Sequence, residues 1–87
     1  MRAMITVVGE DRVGILAEVS QACAKANLNI VDVAQTVMSG YFTMSMLVTI
    51  DQALVALDEF REDLEESLPT MRVAVMHEDV FQSMHRL

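Results

Sequence analysis

The sequence predicts an α+β domain in which four strands and two helices follow the order βαββαβ, with a short helix after the last strand. Apolar residues alternate at a spacing of two in four segments, and they recur at helical spacing in two segments between those strands. The three glycines and the single proline all fall in short connections. A chain of 87 residues is long enough for one such domain.

The first strand is predicted over residues 2–8, where one face carries Ala3, Ile5 and Val7. A turn with two glycines follows, and Asp11 is expected to cap the next helix. That helix is predicted from Val13 to Ala26. Its apolar face is formed by Ile15, Val19, Ala22 and Ala26, with Leu16 and Cys23 beside them.

The second and third strands form a predicted hairpin. The second runs from Ile30 to Met38, and one of its sides is assigned Val31, Val33 and Val37. Ser39-Gly40 is typical of a two-residue hairpin turn. The third strand runs from Tyr41 to Ile50 and alternates most regularly, with one face made of Phe42, Met44, Met46, Val48 and Ile50.

The second half of the chain repeats this plan. Asp51 is expected to cap a helix from about Gln52 to Ser67, whose apolar stripe is Leu54, Leu57, Phe60, Leu64 and Leu68. The opposite face is acidic and is interpreted as a solvated surface. Pro69 ends the helix, Met71 to Glu78 form a fourth strand, and Asp79 to Leu87 form a closing helix.

Two halves of similar length predict a ferredoxin-like, split βαβ arrangement. Right-handed crossovers then place both helices on one face of a four-stranded antiparallel sheet. The other face carries Thr43, Ser45, Leu47 and Thr49, and it is predicted to be open, covered by the last helix or shared with another subunit. Residues 1–87 are interpreted as one domain, with a core over 1–78 and a helical extension over 79–87.

The composition indicates which classes of partner and which cellular location to expect. Hydrophobic residues make up 53% of the chain and include eight methionines, more than a thin core needs, so an interface is expected. The net charge of −7, with only six scattered basic residues, argues against nucleic acid. No apolar run approaches the roughly 20 residues of a membrane span, and no signal peptide is recognisable, so a cytoplasmic location is expected.

The residues that other functions of this fold require are absent from this sequence. RNA binding needs stacking aromatics on the first and third strands. The first strand has none, and although Gly40-Tyr41 is similar to the start of the third-strand motif, the later aromatic positions hold Met and Ser. Soft-metal carriage needs paired cysteines, but Cys23 is single, and His77 and His85 are interpreted as surface residues. No nucleophile motif is present, so neither an enzyme nor a cofactor or metal site is predicted.

The turn from Gly9 to Ile15 has two readings on its own chemistry. Its glycines allow unusual torsions and close approach of a ligand, the amides at the helix start can receive a carboxylate, and Arg12 can add a charge-assisted contact. The same turn is equally explained as a strand-to-helix connection that needed glycine.

A family resemblance extends along the whole chain. Asp11-Arg12-Val13-Gly14-Ile15 resembles the Asp-Arg-Pro-Gly-Leu turn of ACT domains, with Val13 at the position of the proline. Asn29-Ile30 resembles the Asn-Ile that begins their second strand. The length, the Ser39-Gly40-Tyr41-Phe42 hairpin and the C-terminal extension are similar to the stand-alone ACT proteins of the UPF0237 family.

The resemblance implies a regulatory module that binds an amino acid or another small effector. It implies pairs of subunits, often joined edge to edge through the second strand with the ligand between them, and a regulated enzyme or regulator on a separate chain. The alternative is an interaction module that dimerises or docks without a ligand. Carried onto this chain, the ligand-binding residues are Gly9, Asp11, Arg12, Val13, Gly14, Ile15, Asn29, Ile30 and Asp32.

Overall fold

The computed structural model describes residues 1–84 and has the predicted order of elements. The elements are β1 (Arg2–Glu10), α1 (Ile15–Lys25), β2 (Asn29–Met38), β3 (Tyr41–Thr49), α2 (Leu57–Ser67), β4 (Met71–His77) and α3 (Glu78–Met84). One antiparallel sheet has the strand order β2-β3-β1-β4. The ferredoxin-like prediction is therefore confirmed. His85 and the end of the predicted closing helix lie outside the described residues.

The core lies between the sheet and the two long helices. The alternating faces predicted for β1 and β3 are both confirmed, since Ala3, Ile5 and Val7 are fully buried with Met44, Met46 and Val48. These strands are central in the sheet, so their period-two pattern directly reports which face is covered. The helices contribute Ile15, Val19 and Cys23 from α1 and Phe60 and Leu64 from α2.

Gly9 is required by packing between strands. A Cβ on Gly9 would lie 2.5 Å from the Met71 sulfur and 2.7 Å from the carbonyl oxygen of Thr70. Gly9 has no positive φ and lies inside β1, opposite Met71 of β4. The close approach of β4 therefore explains this glycine without a ligand.

A β-bulge corrects the predicted face of β2. The register with β3 shifts between Ile30 and Asp32, so Val31 leaves the alternation that was predicted to join it to Val33. Ile30 and Val33 are the partly buried residues that pack on the core, whereas Val31 is 47% exposed. Val37 stays in register with the buried Phe42, yet it is 54% exposed at the edge of the sheet.

The predicted cap of α1 is wrong. β1 continues through Glu10, and α1 begins only after Gly14, which has a left-handed φ of 91°. The N-cap residue is Gly14, which has no side chain to accept a hydrogen bond from the first amides of the helix. Asp11 lies three residues before Gly14, in the turn, where its amide donates to the Gly40 carbonyl.

The predicted start of α2 is also wrong, by several residues. Residues 51–56 are irregular, the N-cap is Ala56, and Leu54 of the predicted stripe is 72% exposed. The backbone of this segment bonds to the end of α1: the Leu54 amide donates to the Ala26 carbonyl at 2.9 Å, and the Asn27 side-chain amide donates to the Gln52 carbonyl at 2.9 Å. Asp51 pairs with the amino group of Met1 at 2.6 Å.

The last helix lies against the two strands beside it. Helix α3 contacts β1 and β4, and the Arg2 guanidinium donates two hydrogen bonds to the Glu78 carboxylate at 2.5 and 3.1 Å. Among residues 1–84, the longest helices have 11 residues, so none is long and apolar enough to span a bilayer.

Candidate ligand site

The turn between β1 and α1 ends in an open helix start. The left-handed backbone at Gly14 directs α1 away from β1, and the Gly14 carbonyl accepts the Glu18 amide at 3.0 Å. No side chain of the described residues caps the first amides of α1. A Cβ on Gly14 would find no atom within 4 Å, so the space beside this residue is open. Uncapped amides next to open space can receive an anion.

A backbone hydrogen bond fixes the turn to the β2–β3 hairpin. The Asp11 amide donates to the Gly40 carbonyl at 2.9 Å, next to the cross-strand pair of Glu10 and Tyr41. The hairpin has positive φ at both central residues, 52° at Ser39 and 83° at Gly40. These are the torsions of a tight primed turn, which confirms the predicted hairpin. The hairpin thus holds the turn at a defined position beside the sheet.

Arg12 is already engaged by its own chain. Its guanidinium lies 3.0 Å from the Glu18 carboxylate and donates to the Val13 carbonyl at 3.1 Å. Both charged side chains are about two-fifths exposed, so the pair adds little stability. An incoming carboxylate could replace Glu18 at small cost. Val13, where the family turn has proline, is 96% exposed.

Asn29, Ile30 and Asp32 lie at the opposite end of the sheet. Asn29 pairs with Thr49, which pairs with Arg2, whereas the turn follows Glu10 beside Tyr41. Tyr41 and Thr49 are eight steps apart on β3, which is about 27 Å at 3.4 Å per residue. Asn29 and Asp32 are exposed, and an Asp32 carboxylate oxygen accepts the Val33 amide at 2.9 Å.

The nine predicted ligand residues therefore form two groups within one chain. Gly9, Asp11, Arg12, Val13, Gly14 and Ile15 gather at the hairpin end, and the other three gather at the far end. Two further residues shape the turn and were missed by the sequence reasoning: Gly40, which binds Asp11, and Glu18, which binds Arg12. The hairpin was visible in the sequence, but its contact with the turn depends on the β1–β3 register.

The residues weighed for metal or redox chemistry are placed elsewhere. Cys23 is fully buried, with its sulfur 3.8 Å from the Met46 sulfur, and burial raises its thiol pKa from 9.0 to about 11. His77 is exposed at the end of β4. Within residues 1–84, no three His, Cys, Asp or Glu side chains are grouped so that they could hold a metal ion.

A family model of the ACT domain matches residues 2–78. The chain belongs to the ACT domain family. A UPF0237 protein of Listeria monocytogenes is 46% identical over 90 residues, with both chains covered completely. An ACT domain protein from Streptococcus pneumoniae has a similar structure, with a TM-score of 0.78, 35% identity and 98% of each chain covered. The predicted resemblance to ACT domains and to the UPF0237 family is thus confirmed.

The same fold also occurs inside a larger enzyme. A formyltetrahydrofolate deformylase from Pseudomonas syringae matches 86% of this ACT domain with a TM-score of 0.71 and 30% identity, and the match covers 28% of that chain. ACT domains are in general regulatory modules that bind small molecules such as amino acids, and they often dimerise. The ACT domain family is thus a family of regulatory modules and not of catalytic domains.

Proposed function

We propose that this ACT domain is a cytoplasmic homodimer that senses an amino acid. The ligand lies between the turn from Gly9 to Ile15 of one subunit and the segment Asn29, Ile30 and Asp32 of the partner subunit. A separate enzyme or regulator reads the resulting arrangement of the two subunits.

The observation that carries this proposal is the separation of the two ligand groups within one chain. About 27 Å is too long for one amino acid to bridge. A two-fold axis beside the outer edge of β2, level with the middle of the strand, would pair two β2 strands antiparallel. The Asn29 end of the partner's β2 would then lie beside the hairpin end of this subunit, which is the end that carries the turn. A dimer of this kind reunites the two groups.

The two edges of the sheet differ in how well they suit this pairing. Strand β2 has ten residues, and its exposed apolar side chains are Val31, Val37 and Met38. Strand β4 has seven residues and is contacted by α3. A long apolar edge strand with unpaired backbone groups is a template for another strand. This difference favours β2 as the dimer edge.

The residues provide complementary groups for an amino acid. The first amides of α1 receive the carboxylate, and Gly14 leaves room for its approach. The Asn29 side-chain carbonyl and the Asp32 carboxylate of the partner subunit are acceptors for the ammonium. Binding across the interface favours the dimer arrangement that fits the ligand, which links occupancy to what a partner protein recognises.

A thermal-shift screen with the twenty amino acids tests the ligand site. A ligand at a hundred times its dissociation constant stabilises the folded state by about 2.7 kcal/mol, which raises Tm by at least several degrees in a domain of this size. The matched variants are Gly14→Ala and Gly40→Ala, because both residues have positive φ and open space for a Cβ. We expect Gly14→Ala to lose the ligand response and Gly40→Ala to keep it. The absence of any response in the wild type, or an equal response in both variants, would refute the site.

The dimer edge has its own test. Val37 in β2 and Val80 in α3 are 54% and 49% exposed, so replacing either by Lys adds the same charge at a similar exposure. We expect a dimer for the wild type and Val80→Lys and a monomer for Val37→Lys, measured by sedimentation equilibrium. A monomeric wild type, or a Val37→Lys dimer as tight as the wild type, would contradict pairing through β2.

A second candidate function is docking without a ligand. It is favoured by the apolar residues exposed at the hairpin end, where Val13 is 96%, Met38 70% and Tyr41 61% exposed. Large apolar side chains exposed at one end of a fold suit an interface with another protein. A negative amino acid screen, together with a co-purifying protein that is lost in Tyr41→Ser, would favour this function over sensing.

A further inference from the structure

A cavity of about 680 Å³ lies between α1 and α2. It lies within the range of 300–1,000 Å³ that is usual for small-molecule sites. Its lining includes Glu18, whose carboxylate pairs with Arg12 of the turn. Its lining contains none of the nine residues of the proposed amino acid site. We refer to this cavity as the interhelix groove; it is bounded by residues 18–25 of α1, its C-cap Ala26, Val55 and residues 60–67 of α2.

The floor of the interhelix groove is apolar. Phe60 and Ala26 are 3% and 6% exposed, and Ala22 and Val55 are half-buried. Ala22 of α1 and the C-cap residue Ala26 are four residues apart, so both methyl groups lie on the same side of the helix, in the lining of the groove. The groove exists because these positions hold alanine where longer apolar side chains would fill the space between the helices.

The two walls of the groove carry opposite charges; Glu18 also lies on the α1 wall, but it is paired with Arg12. Lys25, the chain's single lysine, lies on the α1 wall, and Asp63 lies on the α2 wall. Over residues 1–84, neither side chain forms an ion pair, whereas Arg2, Arg12 and Arg61 are all paired with glutamates. A cation and an anion held on facing walls above an apolar floor are complementary to a molecule with two opposite charges and an apolar body.

We propose that the interhelix groove is a second binding site, for a small zwitterion with an apolar side chain. Its anionic group pairs with the Lys25 ammonium, its cationic group pairs with the Asp63 carboxylate, and its apolar part covers Phe60 and Ala22. Gln21 and Ser67 also line the groove and supply neutral donors and acceptors. The groove belongs to one subunit and needs no dimer, which separates it from the site at the turn.

A single lysine makes the site directly observable. Reductive methylation with ¹³C-formaldehyde keeps the charge of Lys25 and gives one labelled lysine side chain beside the labelled amino terminus. The probes are L-phenylalanine, phenylacetate, which lacks the ammonium, and phenethylamine, which lacks the carboxylate. We expect L-phenylalanine to shift the Lys25 signal and the methyl signals of Ala22 and Val55. Each single-charge analogue should bind with an affinity at least about tenfold lower.

Two pairs of variants complete the test. Lys25→Gln and Asp63→Asn should each weaken L-phenylalanine binding in the groove about tenfold, as followed by the Ala22 and Val55 methyl signals. The matched controls, Arg72→Gln on β4 and Glu66→Gln on α2, remove the same charges outside the lining and should leave the affinity unchanged. Gly14→Ala should also leave it unchanged, so failure of the turn site and failure of the groove give different results.

Three results would overturn the proposal. The first is that the groove signals do not shift when L-phenylalanine is added in excess over the protein, up to about 10 mM. A site with a millimolar dissociation constant would be detected at that concentration. The second is equal binding of phenylacetate or phenethylamine, which would show that the charge pair is not used. The third is a set of shifts confined to residues 9–15, which would assign the molecule to the turn and not to the groove.

Discussion

The two connections that lead from a strand into one of the long helices, α1 or α2, differ in length and in the contacts that hold them. The first, residues 11–14, turns within four residues through a left-handed glycine and is held by one hydrogen bond from Asp11 to Gly40. The second, residues 50–56, is longer and irregular, and it is bonded to the end of α1 at Ala26 and Asn27. The two halves of the fold are therefore similar in topology but not in their connections.

This difference shows why the first connection is the better candidate for a ligand. Both helices have 11 residues, and neither N-cap residue, Gly14 or Ala56, has a side chain that accepts a hydrogen bond from the first amides of its helix. The first turn of α2 carries Asp58 and Glu59, whose charges compensate the exposed amides. The first turn of α1 carries Glu18, but that carboxylate is paired with Arg12. The start of α1 is thus left with more uncompensated positive potential.

The largest expected effect is at the base of the first connection. Gly9→Ala would place a Cβ against the Met71 sulfur and the Thr70 carbonyl oxygen, and the backbone atom cannot move aside without shifting β4. We expect a loss of about 3 kcal/mol in the free energy of unfolding, because overpacking is costly in a close-packed interior. Urea denaturation measures it, with Gly40→Ala as the control that meets no neighbouring atom. A loss no larger than that of the control would contradict the close approach of β4.

The two helices should also respond differently to alkaline pH. α1 contains the buried Cys23, whose pKa is raised from 9.0 to about 11 by burial, whereas the buried residues of α2 are Phe60 and Leu64. In the unfolded chain the thiol ionises from about pH 9, while in the folded chain it stays protonated up to about pH 11. Stability from this group is therefore complete below pH 9 and falls by about 2 kcal/mol as the pH rises to 11.

Replacing the thiol isolates this effect. In Cys23→Ala the stability should be lower at pH 7, because the side chain fills core volume, but the additional decline between pH 9 and 11 should disappear. Urea denaturation of both proteins at several pH values measures the difference. Parallel pH profiles for the two proteins would show that Cys23 is not the group that titrates.

How far the sequence predicts this molecule depends on whether the relevant contact is local. The alternation of β1 and β3 predicted their buried faces correctly, because both strands are central and covered on one side by helices. The predicted caps at Asp11 and Asp51 were wrong because contacts with distant residues place the helix starts further along the chain. The Asp11 amide donates to the Gly40 carbonyl, and after Asp51 the Leu54 amide donates to the Ala26 carbonyl. No local pattern reports those partners.

The candidate site was predictable to the same extent. The turn around Gly14 was located from its glycines and its family motif, and its left-handed φ agrees with the need for glycine. The distance between this turn and Asn29 could not be predicted, because it follows from the register of β1, β3 and β2. The interhelix groove was missed for a similar reason. In the sequence Ala22 and Ala26 belong to an apolar helix face, and only the spacing of the two helices shows that they border a cavity.

A serine placed at each of the two helix starts should change the free energy of unfolding in opposite directions. Ala56 has φ −68° and ψ 151°, an extended conformation that suits an N-cap serine, whereas Gly14 has φ 91°. We expect Ala56→Ser to stabilise the protein by about 0.5–1 kcal/mol through a hydrogen bond to a first-turn amide. Gly14→Ser should destabilise it by about 1 kcal/mol because a side chain is strained in the left-handed region. Thermal or urea unfolding of both variants measures this, and a change of the same sign in both would contradict the different roles of the two starts.

The smallest expected effect concerns Asp51, which the sequence assigned to a helix cap and the structure assigns to an ion pair with the Met1 amino group. Loss of a cap in Asp51→Ala would cost about 1 kcal/mol and would hardly depend on salt. Loss of an ion pair whose groups are 62% and 61% exposed should cost at most about 0.5 kcal/mol and should vanish in 1 M NaCl, where charges are screened beyond about 3 Å. Urea denaturation of the wild type and Asp51→Ala at low and high salt separates the two cases. A salt-independent loss near 1 kcal/mol would mean that the second connection is closed by a cap after all, and that the two connections differ less than their geometry indicates.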